Sequence, residues 1–405
     1  MIRFLTAGES HGKALTAIID GFPSNIPITP DDINTDLARR QMGYGRGGRM
    51  KIETDTAEIL SGIRFQKTIG SPISLLIRNR DWENWVEKMS PEIKRGKDVE
   101  YITVPRPGHA DLTGVTKYDF DDIRNSIERS SARETAARVA AGAIAKRFLS
   151  EFGITVGSFV EQIGGIYSKN SYLQELYECK VQLKNASEIS EKADLSLVRV
   201  LDSQQEEKIV NKIKVAKKRG DTLGGTFVIV VTGLPVGLGT YMQYDRRLDA
   251  DLAHAILSIN AVKGVEVGAA FENSEHFGST AHDEINLVDG VPSRRTNRAG
   301  GLEGGITTGL PLIVRGAMKP IATLMQPIGS IDLKKMEEVE ARRERSDFVA
   351  VPACGVIGES MVAWVVAQHF LTKFGGDSLA ETKNNYQNYI KSTNKRVKDN
   401  FKKAK

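Results

Sequence analysis

Short runs of apolar and β-branched residues, separated by polar turns, dominate the first hundred residues of the chain. Runs of this length and composition are typical of β-strands. They predict strands at residues 2–7, 15–20, 52–60 and 73–77, and further strands at 154–164, 226–232, 265–271 and 311–316. The pattern therefore indicates a protein built from many short strands.

A few longer segments carry apolar residues at helical spacing instead. The first follows Thr29, a residue type that caps helix N-termini, and has Pro30 at its first position, so we predict a helix to about Arg40. An alanine-rich helix is predicted at 131–152 and is ended by Gly153. Two more helices are predicted at 249–262 and 354–374.

Two of these predicted helices share a sequence pattern. Residues 146–153 match residues 368–375, including an internal Phe-Leu pair and a terminal Phe-Gly pair. The match is either a coincidence or the trace of two equivalent halves, each with a sheet and a central helix. The second interpretation predicts an α+β fold with central helices between sheets.

Composition and cysteine usage exclude several classes of protein. Mean hydropathy is −0.28. The sequence contains no run of 18 or more uncharged apolar residues, which argues against a membrane span. The N-terminal residues lack the pattern of a secretory signal. Cys179 and Cys354 are far apart and in no metal-binding spacing, which argues against a disulfide framework or zinc ribbon. We therefore expect a cytoplasmic protein.

The formal net charge of +5 is concentrated in the C-terminal tail. Residues 383–405 contain eight basic residues and one acidic residue. Terminal charge runs are usually solvated or disordered, so we expect the same here. The 405 residues allow one large domain or two to three smaller ones, and no low-complexity linker divides them.

Arginines and glycines alternate in the segment 39–51, which contains no acidic residue. Arginine matches carboxylates and phosphates with a planar fork of donors, and glycine lets backbone N–H groups approach a ligand closely. The combination suits a small anion with more than one acid group. Residues 43–48 also fit the dinucleotide-binding pattern Gly-x-Gly-x-x-Gly, but that motif needs a strand before it and a helix after it, and here the order is reversed. An RGG-type nucleic-acid segment would normally repeat, and this one occurs once.

Three other segments are candidates for catalysis or anion binding. His11 lies in a glycine-bracketed turn after the first strand, where an imidazolium could protonate a leaving phosphate. His109 lies in the proline-defined loop 105–111. The serine-rich opening at 128–135 of the alanine-rich helix carries Arg129 and Arg133, which suits phosphate binding at a helix N-terminus. A structural histidine, a surface turn and simple helix capping are the alternative interpretations.

Weaker candidates lie further along the chain. The loops 304–309 and 319–323 combine small residues, hydroxyls and one cation, and a charged segment at 344–347 precedes the last long helix. A carboxylate in a basic pocket stays ionised and can act as a base. The group Glu275, His276, His282 and Asp283 fits no metal motif.

Taken together and in this order, five of these motifs resemble chorismate synthase over residues 1 to about 376. They are Gly8–Gly12, the glycine loop 40–49, the segments 106–111 and 128–135, and Arg345-Ser346-Asp347. The resemblance implies a β-α-β sandwich, an α+β fold with central helices between two antiparallel sheets and pseudo-symmetric halves. It also implies one catalytic domain at 1–376, with a polar insertion at about 167–195, and a Lys-rich tail at 377–405. Ser346 replaces the histidine that many members have there.

The implied reaction is the last step of the shikimate pathway. In it, 5-enolpyruvylshikimate 3-phosphate loses phosphate and a ring proton to give chorismate, with reduced FMN that is not net consumed. By the resemblance, His11 protonates the departing phosphate, His109 stabilises charge on the reduced flavin, and Asp347 accepts or relays the proton. Flavin contacts fall on Arg129, Ser130, Ser131, Asn260, Ala261, Gly304, Lys319, Pro320, Ile321, Ala322, Thr323 and Arg345. Contacts to the substrate or to NADPH fall on Ser10, Arg40, Arg46, Arg49, Arg106 and Arg133.

The family also implies a homotetramer. Because no reductase module is visible in the sequence, we expect an external flavin reductase, with NADPH as the ultimate reductant. Two other classes stay open: a nucleic-acid-binding protein that uses the Arg/Gly segment and the tail, and a flavin oxidoreductase that consumes a hydride at each turnover.

Overall fold

The computed structural model describes residues 2–47, 54–96, 98–343 and 347–403. Its strands, in chain order, are β1 (Arg3–Ala7), β2 (Ala14–Asp20), β3 (Ala57–Ser61), β4 (Ile63–Arg64), β5 (Lys67–Thr68), β6 (Ile73–Arg78), β7 (Thr155–Ile163), β8 (Ile166–Tyr167), β9 (Gly225–Thr232), β10 (Val262–Val267), β11 (Ile285–Val288), β12 (Val291–Arg294), β13 (Leu302–Glu303), β14 (Ile306–Thr307), β15 (Leu312–Met318), β16 (Gly329–Asp332) and β17 (Glu337–Glu340).

The helices show the same mixture of long and short elements. They are α1 (Pro30–Gln41), α2 (Val86–Met89), α3 (Asp111–Tyr118), α4 (Ile123–Ser130), α5 (Thr135–Ser150), α6 (Tyr172–Tyr177), α7 (Ser187–Asp194), α8 (Ser203–Arg219), α9 (Leu248–Leu257), α10 (Ala270–Asn273), α11 (Gly278–Ala281), α12 (Val351–Phe374) and α13 (Leu379–Lys403). Short 3-10 turns lie at Trp82–Asn84, Ala132–Glu134 and Tyr244–Arg246.

The first sheet has four antiparallel strands in the order β1-β2-β6-β3. Side chains alternate along β2, so that Leu15, Ala17 and Ile19 are buried while Ile18 faces outward. This alternation is expected for a sheet with one face on a core. The predicted strands at 2–7, 15–20 and 73–77 are confirmed. Of the prediction at 52–60, only Ala57–Ser61 forms a strand, and residues 48–53 lie outside the described residues.

The second sheet has five antiparallel strands in the order β10-β15-β9-β7-β8. It is covered on both faces, and β9 is therefore almost continuously apolar. Phe227 and Ile229 face the central core, while Val228 and Val230 face a second cluster made with α6 and α7. The polar insertion at 167–195 thus covers the outer face of this sheet. The strand predictions here are confirmed except at 265–271, where the strand ends at Val267 and a short helix follows.

Four helices, α1, α5, α9 and α12, lie between the two sheets. Helix α5 packs against β2 of the first sheet, and α12 packs against β7 and β9 of the second. The two central helices approach closely at Gly142. A Cβ atom added there would lie 2.3 Å from the Cβ atom of Ser360. The matched ends of the two helices meet in one aromatic cluster, where Phe148 and Phe152 contact Phe370. The predicted α+β sandwich of two antiparallel sheets around central helices is confirmed.

A buried ionic cluster connects these helices to the second sheet. Glu359 in α12 is fully buried and accepts hydrogen bonds of 2.8 Å from both terminal nitrogens of Arg39 in α1. Lys146 of α5 donates to it at 2.7 Å, and the hydroxyls of Ser158 and Ser190 donate at the same distance. Burial opposes the charge of Glu359, but Lys146 and Arg39 outweigh it and hold the pKa of that carboxyl well below its usual range.

The helix boundaries refine the sequence predictions. Helix α1 begins after Thr29, whose backbone N–H donates to Asp32 at 2.6 Å in the predicted N-terminal capping arrangement. The alanine-rich helix begins only at Thr135, after the 3-10 turn. Helix α9 ends at Leu257, five residues before its predicted end, and Ala261 turns the chain into β10 with a left-handed φ of 66°. Helix α12 begins at Val351, three residues before its predicted start.

The Lys-rich tail is helical and therefore not disordered, while none of the side chains described at 383–393 is buried, as expected for a solvated segment. Residues 379–403 form helix α13, and the ring of Tyr386 packs among those of Phe152, Phe370 and Phe374. The tyrosine at 386 supplies apolar surface that a count of charges does not register. Helix α12 is long and apolar enough to cross a membrane, but 94% of its apolar window is buried inside the protein.

Candidate active site

A cavity of about 890 Å³ opens where the Arg/Gly segment, the two histidine loops and the turn before α12 meet. Its lining runs from Ser10 to Ala350 and therefore draws on both halves of the chain. The charged side chains that line it are Arg40, Arg46, Arg106, Arg124, Arg133, Lys319, Arg342, Arg343 and Asp347, together with His11 and His109. Among the described lining residues, eight permanent cations thus face one carboxylate. Such a field attracts an anion with several charges.

His11 is held by contacts on two sides. Its Nδ1 atom lies 2.9 Å from Oε1 of Glu128, and its backbone N–H donates to Oε2 at 2.7 Å. The ring stacks on Trp85 with centroids 3.9 Å apart. The sharp turn before it needs glycine at position 8, where φ is 105° and a Cβ atom would lie 2.3 Å from the carbonyl oxygen of Ala14. Burial opposes the charge of Glu128, but its hydrogen bonds with His11 outweigh burial and lower the pKa of that carboxyl.

His109 has a similar partner. Its Nδ1 atom lies 2.6 Å from Oδ1 of Asp111, a fully buried carboxylate at the start of α3. Arg106 donates to the other oxygen of Asp111 from Nε at 2.8 Å and from its backbone N–H at 3.0 Å. Burial opposes the charge of Asp111, but hydrogen bonds from His109 and Arg106 outweigh it and lower the pKa of the carboxyl. Both cavity histidines are therefore backed by an ionised carboxylate.

Two arginines of the cavity are anchored from behind by a third carboxylate. Nη1 of Arg133 donates to Oδ1 and Oδ2 of Asp55 at 2.6 and 2.7 Å, and its Nε donates to Asn79 at 2.9 Å. Arg40 lies 3.4 Å from the same Asp55 and donates from Nε to Thr135 at 3.0 Å. Burial is the main cause that lowers the pKa of Arg40 to about 10, and neighbouring Arg133 acts in the same direction. A dianionic group would relieve this concentration of positive charge.

Asp347 connects the Arg/Gly segment to the turn before α12. Its Oδ1 accepts from the backbone N–H of Gly47 at 2.5 Å, and its Oδ2 lies 3.2 Å from Nε of Arg46. The cavity therefore brings together His11, Arg133 and Asp347, which are far apart in sequence.

Most of the other predicted site residues also line the cavity. Ser131 donates to the buried Ser10 at 3.1 Å, and the side-chain amide of Asn260 donates to the carbonyl of Ser130 at 2.9 Å. Lys319 donates to the carbonyl of Gly108, which joins the loop after β15 to the His109 loop. The lining further includes Ala261, Ile321, Ala322 and Thr323.

The structure leaves some predicted residues outside the lining. Arg129 donates instead to the backbone of Thr6 at 3.0 Å and of Gly8 at 3.2 Å. Gly304 lies in the turn between β13 and β14 near Tyr241, and Pro320 is absent from the lining. Arg49, Arg345 and Ser346 fall outside the described residues. The flavin contacts of Arg129, Gly304, Pro320 and Arg345 and the substrate or NADPH contact of Arg49 stay predictions.

Comparison with known proteins decides the family. The sequence model of the chorismate synthase family matches residues 2–371. A chorismate synthase of Prosthecochloris aestuarii is 57% identical over 384 residues, which cover 94% of this chain and 96% of that protein. One of Aquifex aeolicus is 52% identical over 393 residues, covering 96% and 97%. A crystal structure of chorismate synthase matches with a TM-score of 0.78 and 43% identity, over 96% of this chain and 97% of that one.

The chain belongs to the chorismate synthase family. It is accordingly a lyase that forms chorismate in the shikimate pathway, which leads to the aromatic amino acids. The fold and the reaction expected from the sequence motifs are both confirmed.

Sequence reasoning missed four residues that line the cavity of this family member: Trp85, Arg124, Arg342 and Arg343. Arg124 lies one helical turn before Glu128 in α4. This spacing was the sequence signal from which Arg124 could have been predicted to lie at the site. The Arg342-Arg343 pair directly precedes the segment recognised at 344–347 and could have been included with it. No motif marks Trp85. Burial is the main cause that lowers the pKa of Arg342, and the nearby Arg124 and Arg106 add to the effect.

The chemistry of the lining fits a phosphorylated flavin better than a metal ion. Among the described residues, no group of three or more His, Cys, Asp and Glu could hold a metal. In contrast, the hydroxyl-rich turn at Ser130 and Ser131, together with Lys319, presents hydrogen-bond donors suited to phosphate. The volume lies near the upper end of the range of about 300–1,000 Å³ for small-molecule sites, which leaves room for two ligands.

Proposed function

We propose that the cavity binds 5-enolpyruvylshikimate 3-phosphate beside reduced FMN, and that its residues promote the loss of phosphate with a ring proton to form chorismate. The observation that carries this proposal is the excess of eight cations over one carboxylate in a single cavity with two carboxylate-backed histidines. The substrate bears a phosphate and two carboxylates, so several guanidinium groups are needed to hold it.

The arginines would bind and orient the substrate. Arg40 and Arg133 are already fixed by Asp55, so they lose little side-chain freedom when an anion arrives. Arg46, Arg49 and Arg106 complete the proposed set with Ser10. We propose that the reduced flavin contacts Arg129, Gly304, Pro320 and Arg345 in addition to the residues at 130–131, 260–261 and 319–323 that line the cavity.

Proton movements would fall to three side chains. His11 would donate a proton to an oxygen of the departing phosphate, which lowers the charge that develops on the leaving group. His109 would hold positive charge towards the flavin, supported by Asp111. Asp347 would accept or relay the proton lost by the ring carbon, which the carboxylate is not basic enough to remove unaided. When bound, the reduced flavin supplies an electron and a basic nitrogen, chemistry that no side chain of the cavity offers.

We further propose that reducing equivalents originate from NADPH through an external flavin reductase, with Arg40 and Arg46 available to a nicotinamide nucleotide. A homotetramer is supported by exposed apolar side chains such as Leu5, Phe277 and Ile285. A cytoplasmic location is supported by two free cysteines, since free thiols persist in reducing compartments. We propose one catalytic domain at 1–376, with 377–405 as an attached tail.

One assay tests the reaction against the two alternative classes. The purified protein is incubated without oxygen with reduced FMN and 5-enolpyruvylshikimate 3-phosphate, and inorganic phosphate and flavin absorbance are followed together. We expect phosphate release with no net oxidation of flavin. One flavin oxidised per phosphate would indicate an oxidoreductase. Absence of phosphate release, together with salt-sensitive binding to nucleic acid, would indicate a nucleic-acid-binding protein.

A further inference from the structure

Glu128 lies outside the set of residues given a chemical role so far, yet its side chain contacts both the backbone and the ring of His11. Its side chain is almost completely buried, so it does not face the cavity. Oε2 accepts the backbone N–H of His11 at 2.7 Å, while Oε1 lies 2.9 Å from the ring atom Nδ1. Its own backbone carbonyl accepts the N–H of Ser10 at 3.0 Å. One residue of α4 thus fixes both the loop and the ring.

The contacts of Glu128 specify which ring nitrogen carries a proton. An ionised carboxylate only accepts hydrogen bonds, so Nδ1 of His11 must be the donor in this pair. The surrounding charges keep the carboxylate ionised, because Nη1 of Arg124 also donates to Oε1 at 3.3 Å. Nε2 is then the nitrogen whose protonation state can change during the reaction, and a proton that it carries can pass to an oxygen of an anionic ligand.

The ring face of His11 is held by an aromatic side chain. Trp85 stacks at 3.9 Å with an interplanar angle of 32°, and its indole N–H donates to Asp81 at 2.9 Å, which fixes the indole. Two cations lie near the stack, Arg124 at 5.1 Å and Lys88 at 5.3 Å from the centroid of the Trp85 ring, and Asp81 is the carboxylate on the indole side. Glu128 is the carboxylate in direct contact with the imidazole, so it is placed to balance a protonated His11.

We propose that Glu128 is a positioning residue for His11: together with the Trp85 stack, it fixes the proton on Nδ1 and presents Nε2 as the proton donor to the leaving phosphate. The role rests on the proposed function of His11. From the same geometry we predict that glutamine replaces Glu128 poorly. An amide has one acceptor oxygen and one donor group, whereas the carboxylate receives N–H donors on both of its oxygens. In Glu128→Gln an amide oxygen at the position of Oε2 stays within reach of the backbone N–H and of Nδ1, at 2.7 and 3.1 Å, but the N–H₂ group then replaces Oε1 at 2.9 Å from Nδ1 and the negative charge is lost.

The Trp85 stack provides a test that needs neither substrate nor flavin. A protonated imidazole in contact with an indole quenches its fluorescence, so a pH titration of Trp85 emission reports the charge of His11. The chain has three tryptophans; the background variant is Trp82→Phe, and Trp364 is buried and serves as a constant signal. His11→Asn and Trp85→Phe in this background must abolish the titration, which establishes that it comes from the stacked pair.

In this background, Glu128→Gln should move the quenching midpoint to lower pH, because the negative charge in contact with the imidazole is removed. Glu128→Asp keeps the charge, so its quenching midpoint should lie at least halfway from that of Glu128→Gln to that of the background variant. The matched control is Glu134→Gln, since Glu134 is also a buried glutamate but pairs with Arg138. It should leave the midpoint unchanged. Circular dichroism of each variant reports whether the fold is kept.

Steady-state phosphate release then separates positioning from binding. Glu128→Gln should lower kcat by about a hundredfold, the scale of general acid catalysis, with KM within about threefold of wild type. Glu128→Asp should restore part of kcat. An unchanged midpoint in Glu128→Gln overturns the proposal, and so does a kcat equal to that of Glu134→Gln. If the midpoint moves but wild-type protein releases no phosphate, the Glu128 contact stands while the proposed function of His11 falls.

Discussion

Asp55 offers a direct test of how the arginines of the cavity are held. Its side chain is fully buried and does not line the cavity, yet it accepts from Arg133 at 2.6 and 2.7 Å and lies 3.4 Å from Arg40. Asp55→Asn keeps the volume but removes the charge and turns one acceptor into a donor that faces a guanidinium. Breaking a buried ion pair in this way costs about 3–5 kcal/mol. We therefore expect the free energy of unfolding to fall by about 3 kcal/mol.

The same substitution should weaken substrate binding. Arg133 would lose its fixed position, and a loss of about 1.4 kcal/mol in binding corresponds to a tenfold increase in KM. Urea unfolding and steady-state phosphate release measure the two effects. The control is Asp20→Asn, because Asp20 pairs with Arg3 at 3.2 Å on the surface, where such pairs contribute less than about 1 kcal/mol. If Asp55→Asn unfolds like Asp20→Asn and keeps the wild-type KM, the idea that Asp55 prepares the cavity for an anion is refuted.

Two further predictions concern the central helices. Glu359 has a lowered pKa in the folded protein, so its contribution to stability is present above the ordinary pKa of a glutamate and is lost as the pH falls through the lowered value. Urea unfolding at pH 7 should show Glu359→Gln less stable than wild type by about 3 kcal/mol, and the difference should shrink in acid; a constant difference would contradict this. Gly142→Ala should lower stability by about 1–3 kcal/mol, because the new methyl group meets Ser360. Thermal unfolding measures this loss, and Ser360→Gly should recover little of it, because the new methyl group also lies 2.6 Å from the Cα atom and 2.7 Å from the carbonyl oxygen of Ser360. A Gly142→Ala variant as stable as wild type would show that the close approach does not limit this position.

The sequence predicted the fold well wherever burial alone decides the local structure. The continuous apolar run of β9 and the capped start of α1 are visible without tertiary information. The order of the tail was not predicted, because Tyr386 packs into an aromatic cluster whose other members come from α12 and from Phe152 after α5. The end of α9 at Leu257 and the left-handed backbone at Ala261 that follows it are marked by no residue pattern.

Prediction of the site had a similar limit. Motifs identified the residues that face the cavity, among them His11, His109 and Arg133. They could not identify Asp55 and Glu128 as the carboxylates behind them, because an acidic residue beside an arginine in sequence does not reveal which cation it contacts in space. Trp85 has no motif of its own, and its role follows only from the 3.9 Å stack on His11.

The walls of the cavity come from positions as far apart as Ser10 and Ala350. During synthesis, the N-terminal histidine loop leaves the ribosome long before the segment with Asp347 and α12 that encloses the same space. An incomplete chain therefore carries some of the arginines without the enclosed cavity. It cannot bind the phosphorylated substrate as the complete protein does until the last segment has folded.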